Sequence, residues 1–279
     1  IIRLVAAHVG AEVHRGRPLL TAELPETGER FEGILPPAAP GPAFALRKRA
    51  VSIIGLDRYV ADGILTTGQA DFLRRAVRER QNILIAGATS SGKTTLANAL
   101  LAEIAATGDR VLVLEDTIEL QCASRDHVPL RTRAGVVSMT ELVRATMRLR
   151  PDRVIVGEVR GGEALDLVKV WGTGHPGGIA TIHAGSALGA LLRLEQLILE
   201  VAVNPPRALI AEAVNVVIHI AGRGRKRRVE SIARVVGFDG TGYRLADALE
   251  TPFPELMPVP LAADAAAPSL SPDQPGELL

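Results

Sequence analysis

Several scarcities bound this chain before any motif is read. One of its 279 residues is a cysteine, Cys122, which excludes an intramolecular disulfide and any multi-cysteine zinc site. A lone cysteine also fits a reducing cytosol. Aromatic residues make up 3% of the chain. That argues against a single-strand nucleic-acid groove, which needs stacking rings and basic lining. The net charge is +1, so no global field marks a nucleic-acid or membrane partner, and only local clusters carry such an argument. No apolar run reaches the roughly eighteen residues of a membrane-spanning helix. The chain starts Ile1-Ile2-Arg3, with neither a methionine nor a basic-then-apolar leader. It reads as a fragment that has lost its natural N-terminus.

What is abundant is apolar: 47% hydrophobic residues, enough for one large core or two smaller ones. Three textures follow along the chain. Residues 1–50 alternate short apolar runs with Gly and Pro turns, which predicts a small α+β domain with strands near 19–24, 30–35 and 43–47. Residues 51–66 read as a linker with a short helix over 56–61. Residues 67–250 switch to alternating strands and helices. Helices are expected at 67–80, 93–106, 140–149, 162–171, 186–199 and 207–213. Strands are expected at 82–86, 111–115, 153–157 and 179–182. That order predicts an α/β fold with a mostly parallel sheet covered on both faces. Residues 214–221 and 229–238 read as a hairpin closed by the basic turn 222–228. From Thr251 to Leu279, Pro, Ala and Ser dominate, and a disordered tail is expected.

The chemistry concentrates at strand ends. Gly87-Ala88-Thr89-Ser90-Ser91-Gly92-Lys93-Thr94, followed by Thr95, matches the phosphate-loop pattern at every fixed position, between a predicted strand and a predicted helix. Such a loop turns backbone N–H groups onto phosphate oxygens at a helix N-terminus. Lys93 can reach the β- and γ-phosphates of ATP or GTP, and the Thr94 hydroxyl can ligate Mg²⁺. Strand 111–115 ends in Glu115-Asp116, with Glu119 just beyond. Carboxylates there point into the ligand crevice of a parallel sheet. Strand 153–157 ends in Gly157-Glu158-Val159-Arg160, a Walker B element with Gly in place of the usual Asp. Glu158 is a candidate to hold Mg²⁺ through water, to orient the attacking water, or both. Arg160 reads either as structural or as a γ-phosphate sensor. His175 and His183 flank strand 179–182, and His183 is delivered to the same sheet edge. With no further ligands at metal spacing, a polar contact to the γ-phosphate or the water is the better reading of His183. Arg131 and Arg133 are candidate anion sites. Arg223–Arg228 reads either as another or as a solvated turn. Arg30 and Arg47-Lys48-Arg49 are candidates to reach a nucleotide across a domain or subunit boundary.

Taken in order, GATSSGKTTL, VLVLEDTIELQ and RPDRVIVGEVRGGEALDLVKVWGTGHPGGIATIHA resemble the secretion-superfamily traffic ATPases over roughly residues 50–240. The strings LPETGERFEGILPP and FALRKRA are most similar to the conjugative-transfer branch of type IV secretion, the TrbB type. The resemblance implies a RecA-like domain preceded by a small N-terminal domain. It implies ATP and Mg²⁺ bound between them, and a homohexameric ring that works with inner-membrane secretion components, cytoplasmic and peripheral at that membrane. It further implies Lys93 and Thr94 at phosphate and Mg²⁺; Glu115, Asp116 and Glu119 as the acidic cluster; Glu158 in the Walker B role; His183 in the His-box role; and Arg30 and Arg47 completing the site. The absence of a four-cysteine zinc element counts against the type II and pilus-extension branches. A DNA-translocating RecA-like ATPase is the alternative, with the turn 223–228 as its support. A nucleotide-binding scaffold without turnover is the third reading.

Overall fold

The computed structural model describes residues 1–48, 52–133 and 135–250; the expected tail lies outside them. The described residues form two sheets. The smaller has three antiparallel strands in sequence order, β1 (Leu19–Glu23), β2 (Arg30–Ile34) and β3 (Ala43–Arg47). A short helix, α1 (Ile2–His8), lays Ile2 and Ala6 against Leu20, Phe31 and Leu35. Phe31 stacks on Phe44 with ring centroids 5.5 Å apart. Helix α2 (Leu56–Ala61) lies in the connection, as expected.

The larger sheet begins after α3 (Thr67–Arg78). Thr66 and Gln69 close a reciprocal cap at the start of α3, and Phe72, Leu73, Ala76 and Val77 are buried along one face. β4 (Ile83–Ala86), α4 (Lys93–Ala105) and β5 (Val111–Glu115) follow, then β6 (His127–Arg131), α5 (Met139–Thr146) and β7 (Arg153–Val156). α6 (Glu163–Gly172), β8 (Ile179–Ile182), α7 (Ala187–Ile198) and α8 (Arg207–Ala213) lead to β9 (Val216–Ala221), β10 (Arg228–Phe238) and β11 (Tyr243–Asp247). The strand order is β11-β10-β9-β4-β8-β7-β5-β6, parallel from β9 to β6 and antiparallel in the β9-β10-β11 meander.

Both faces are covered, and the period of two decides which side chain goes where. Ile83 and Ile85 join Leu73, Leu96 and Leu100 under α3 and α4, while Leu84 and Ala86 join Val168, Leu191 and Ile210 under α6, α7 and α8. All residues of β4, β5, β7 and β8 are buried. This is the expected α/β fold with a small antiparallel sheet before it.

Three elements depart from the sequence reading. α1 has seven residues, too few to display a helical period. β6 carries Pro129 and two basic ends, which read as loop, and an edge strand tolerates both. β11 is five half-exposed residues after a Gly-rich turn, also at an edge.

Candidate nucleotide-hydrolysis site

The connections that leave the carboxyl ends of β4, β5, β7 and β8, together with one edge of the small sheet, enclose a single cavity of about 430 Å³. The phosphate loop forms its floor. Gly92 has φ +102°, a left-handed conformation that L side chains rarely adopt, and α4 starts at the next residue. Lys93 is buried. Its Nζ donates to the carbonyls of Gly87 at 2.9 Å and Ala88 at 3.2 Å. Burial pulls its pKa down, the charge of Glu158 opposes this, and Arg47 and Arg160 add to it. Thr94 Oγ1 donates to Glu119 Oε2 at 3.3 Å.

The acidic wall is built by two strand ends. Glu115 Oε1 accepts the backbone N–H groups of Glu119 at 2.9 Å and Leu120 at 2.8 Å, which curls the β5–β6 loop over the site. The unexpected Gly157 has its reason here. A Cβ at that position would lie 3.0 Å from Glu115 Cγ, so a side chain would push against the carboxylate that shapes the loop. Glu158 stands just past β7. His183 Nε2 lies 2.8 Å from its Oε1, and Arg160 Nε donates to its Oε2 at 2.6 Å. Arg160 Nη1 reaches Asp116 Oδ2 at 3.5 Å. Burial lowers the His183 pKa, the Lys93 charge lowers it further, and Glu158 opposes both. The ring is therefore neutral near pH 7, and Nε2–H is the donor to Glu158.

The last wall is the small sheet. Arg30 Nη1 and Arg47 Nη2 each donate to Glu119 at 3.0 Å, one to either oxygen, and Gly28 and Lys48 line the cavity beside them. Arg131 pairs with Glu23 of β1 and donates to the Asp116 carbonyl at 3.3 Å, a second tie between the sheets.

Of the residues singled out for catalysis, nucleotide or metal binding, Arg30, Arg47, Thr89, Ser90, Gly92, Lys93, Thr94, Thr95, Glu115, Asp116, Glu119, Glu158, Arg160 and His183 line this cavity, and Gly87, Ala88 and Ser91 complete the phosphate loop at its floor. His175 lies elsewhere: it precedes β8 at the opposite edge of the sheet, and its Nδ1 is buried without a partner among the described residues. Arg133 is exposed, and Arg49 lies outside the described residues. Two supporting groups went unread. Asn98 on α4 donates to the Glu119 carbonyl at 3.3 Å and accepts from Gln121 N at 2.8 Å. Thr181 Oγ1 donates to the Gly157 carbonyl at 2.6 Å. The available signal was a buried polar residue inside an apolar helix and inside an apolar strand.

Comparison with known proteins gives the chain's family. Residues 28–231 match the family model described as type II/IV secretion system protein. The chain belongs to that family. It is similar to the conjugal transfer protein TrbB of Rhizobium radiobacter, 49% identical over 246 residues, which cover 88% of this chain and 76% of that protein. It is similar to the type IV secretion system protein PtlH of Bordetella pertussis, 38% identical over 77% of this chain and 74% of that one. Among solved structures it resembles the VirB11 ATPase of the Brucella suis type IV secretion system, with TM-score 0.54 and 30% identity over 82% of this chain and 80% of that one. The pilus retraction motor PilT, at 21% identity and TM-score 0.56, shares the fold over 88% of this chain and 68% of its own.

Proposed function

We propose that this chain is the ATP-hydrolysing subunit of a homohexameric motor. It energises conjugative DNA transfer by a type IV secretion system from the cytoplasmic side of the inner membrane. The observation that carries the hydrolytic part is the convergence of Lys93, Glu158, His183 and the two arginines Arg30 and Arg47 on one cavity. The similarity to TrbB and PtlH supports the conjugative setting, and ring size rests on the family resemblance. Among the described residues no helix is long and apolar enough to cross a membrane.

Hydrolysis asks little covalent chemistry of the protein; it asks for position and charge. Lys93 already sits at the loop, bonded to Gly87 and Ala88 carbonyls that it can exchange for phosphate oxygens. The buried hydroxyl of Ser91 has no partner among the described residues, a donor left over inside the loop. Thr94, Asp116 and Glu158 offer the hard oxygens that suit Mg²⁺. No three His, Cys, Asp or Glu of the described residues form a cage of their own, so those oxygens would hold the ion together with phosphate. Held by these residues, the ion would supply positive charge to offset that of the phosphates. Glu158, fixed from one side by His183 and from the other by Arg160, orients the attacking water and takes its proton. Arg30 and Arg47 bring positive charge from the small sheet, so nucleotide state is coupled to how the two sheets meet.

The test is Lys93→Ala. ATP turnover should fall by on the order of a thousandfold while the melting temperature stays near wild type. Undiminished turnover in a folded variant sinks the assignment. Native mass measurement with ATP should return a hexamer. DNA-stimulated turnover that weakens steeply with salt would instead favour direct DNA translocation, through the exposed Arg225, Lys226 and Arg228.

A further inference from the structure

The basic turn between β9 and β10 is not uniformly solvated. Arg225, Lys226 and Arg228 face water, but Arg227 turns inward and lines the nucleotide cavity. Its guanidinium lies against Gly92, where a Cβ would come within 2.8 Å of Arg227 Nε and 3.0 Å of Cζ. That Nε is buried and has no hydrogen-bond partner among the described residues. Arg223, at the other end of the turn, donates to the Thr89 carbonyl at 3.3 Å, so the turn grips the phosphate loop at two points. Tyr59 of α2 has a buried hydroxyl that is likewise without a partner. Its pKa is pushed up to about 12 by burial, against the opposing pull of the Arg227 charge.

Sheet order says which end of a nucleotide Arg227 meets. β9 flanks β4 on one side; β8, β7 and β5, which carry His183, Glu158 and Glu115, flank it on the other. On the hydrolysis reading the γ-phosphate would face the side that carries these groups, and Arg227 stands on the opposite flank, beside the start of α4. We propose that Arg227 is a nucleotide-binding residue whose guanidinium contacts the α-phosphate of the bound nucleotide. The glycine at position 92 then serves two needs, the left-handed turn and the close approach of this side chain. The inference rests on the nucleotide-hydrolysis reading above.

Binding of ADP, ATP and inorganic pyrophosphate to the full chain separates the two. Arg227→Gln should weaken ADP and ATP by about tenfold, the worth of one charge-assisted contact. It should leave pyrophosphate, which has no α-phosphate and no nucleoside, within twofold of wild type. Arg227→Lys keeps the charge and the packing stem but loses the fork, and should give an intermediate loss. Arg228→Gln, on the exposed neighbour, should change nothing. ADP affinity unchanged in both Arg227 variants overturns the proposal. So does an equal loss for pyrophosphate, which would mean a contact further along the phosphates or a damaged loop. A wild-type chain that binds neither ADP nor ATP overturns the hydrolysis reading itself, and the proposal falls with it.

Discussion

The two edges of the large sheet use the same residue types in opposite ways. At the amino edge, Arg153 is 1% exposed and its donors are taken. Nε reaches Asp109 at 2.6 Å, Nη2 the Val77 carbonyl at 2.9 Å and Nη1 the Gly177 carbonyl at 3.3 Å. Asp109 is shared with Arg80 and Thr107. Asn82 beside it bonds Ala213 and Gly178, closing β4 onto its neighbours. At the carboxyl edge, Glu158 pairs with Arg160 and accepts from the neutral His183 ring, but His183 and Arg160 are about half exposed and open into a cavity. Saturated, buried charge fixes strands. Charge that meets its partners at a solvent-facing edge is available to a ligand.

Substitutions should separate the two. Arg153→Ala leaves Asp109 buried beside fewer cations and frees two carbonyls. We expect a loss of about 3–5 kcal/mol in unfolding free energy, read by denaturant titration. Turnover per folded molecule should stay near wild type. Glu158→Gln should do the reverse. It keeps the shape and the hydrogen bond to His183 but removes the charge that takes a proton, so kcat should fall on the order of 10²–10³-fold with the fold and ADP binding intact. If Glu158→Gln instead lowers stability as Arg153→Ala does, the two edges are not different in kind.

Arg30 sharpens the comparison because it reaches the site from the other sheet. Its bond to Glu119 is only partly buried, so its structural worth is small. Arg30→Ala should shift the melting temperature by no more than about a degree yet lower kcat/KM about tenfold, the loss of one charged contact to the transferring phosphoryl group. A pure stability loss would mean that Arg30 only holds Glu119.

Much of this was legible in the chain. Fixed-spacing motifs at strand ends report the carboxyl edge, because a parallel sheet delivers all its strand ends to one side. GATSSGKT, the end of VLVLED, the Gly157-Glu158 pair and His183 were therefore readable without coordinates. What escaped depends on packing between distant segments. Arg153 reads as an ordinary strand residue until Asp109 and Val77 surround it. Arg227 sits among similar arginines, and only the hairpin's position beside β4 singles it out. Gly157 looked like a missing aspartate; the cause is Glu115, a neighbour in space and not in sequence.

The smallest expected effect lies in pH. His183 has a lowered pKa in the folded chain, from burial first and the Lys93 charge second. In the unfolded chain it titrates near 6.5. The unfolded state therefore takes up this proton first as pH falls, and acidification from about 7 downward favours unfolding, fully so once pH is below the folded value. Above pH 7 neither state binds the proton and the contribution is flat. His183→Gln removes the linkage. The melting temperature of wild type minus that of the variant should be constant between pH 7 and 8 and should decrease below pH 6.5. His175 at the other edge has no place in the cavity, so His175→Gln should leave the acid limb of turnover unchanged, while His183→Gln should alter it. A difference that grows in favour of wild type on acidification would mean that Glu158 holds His183 protonated, and the neutral donor assigned to this edge would be wrong.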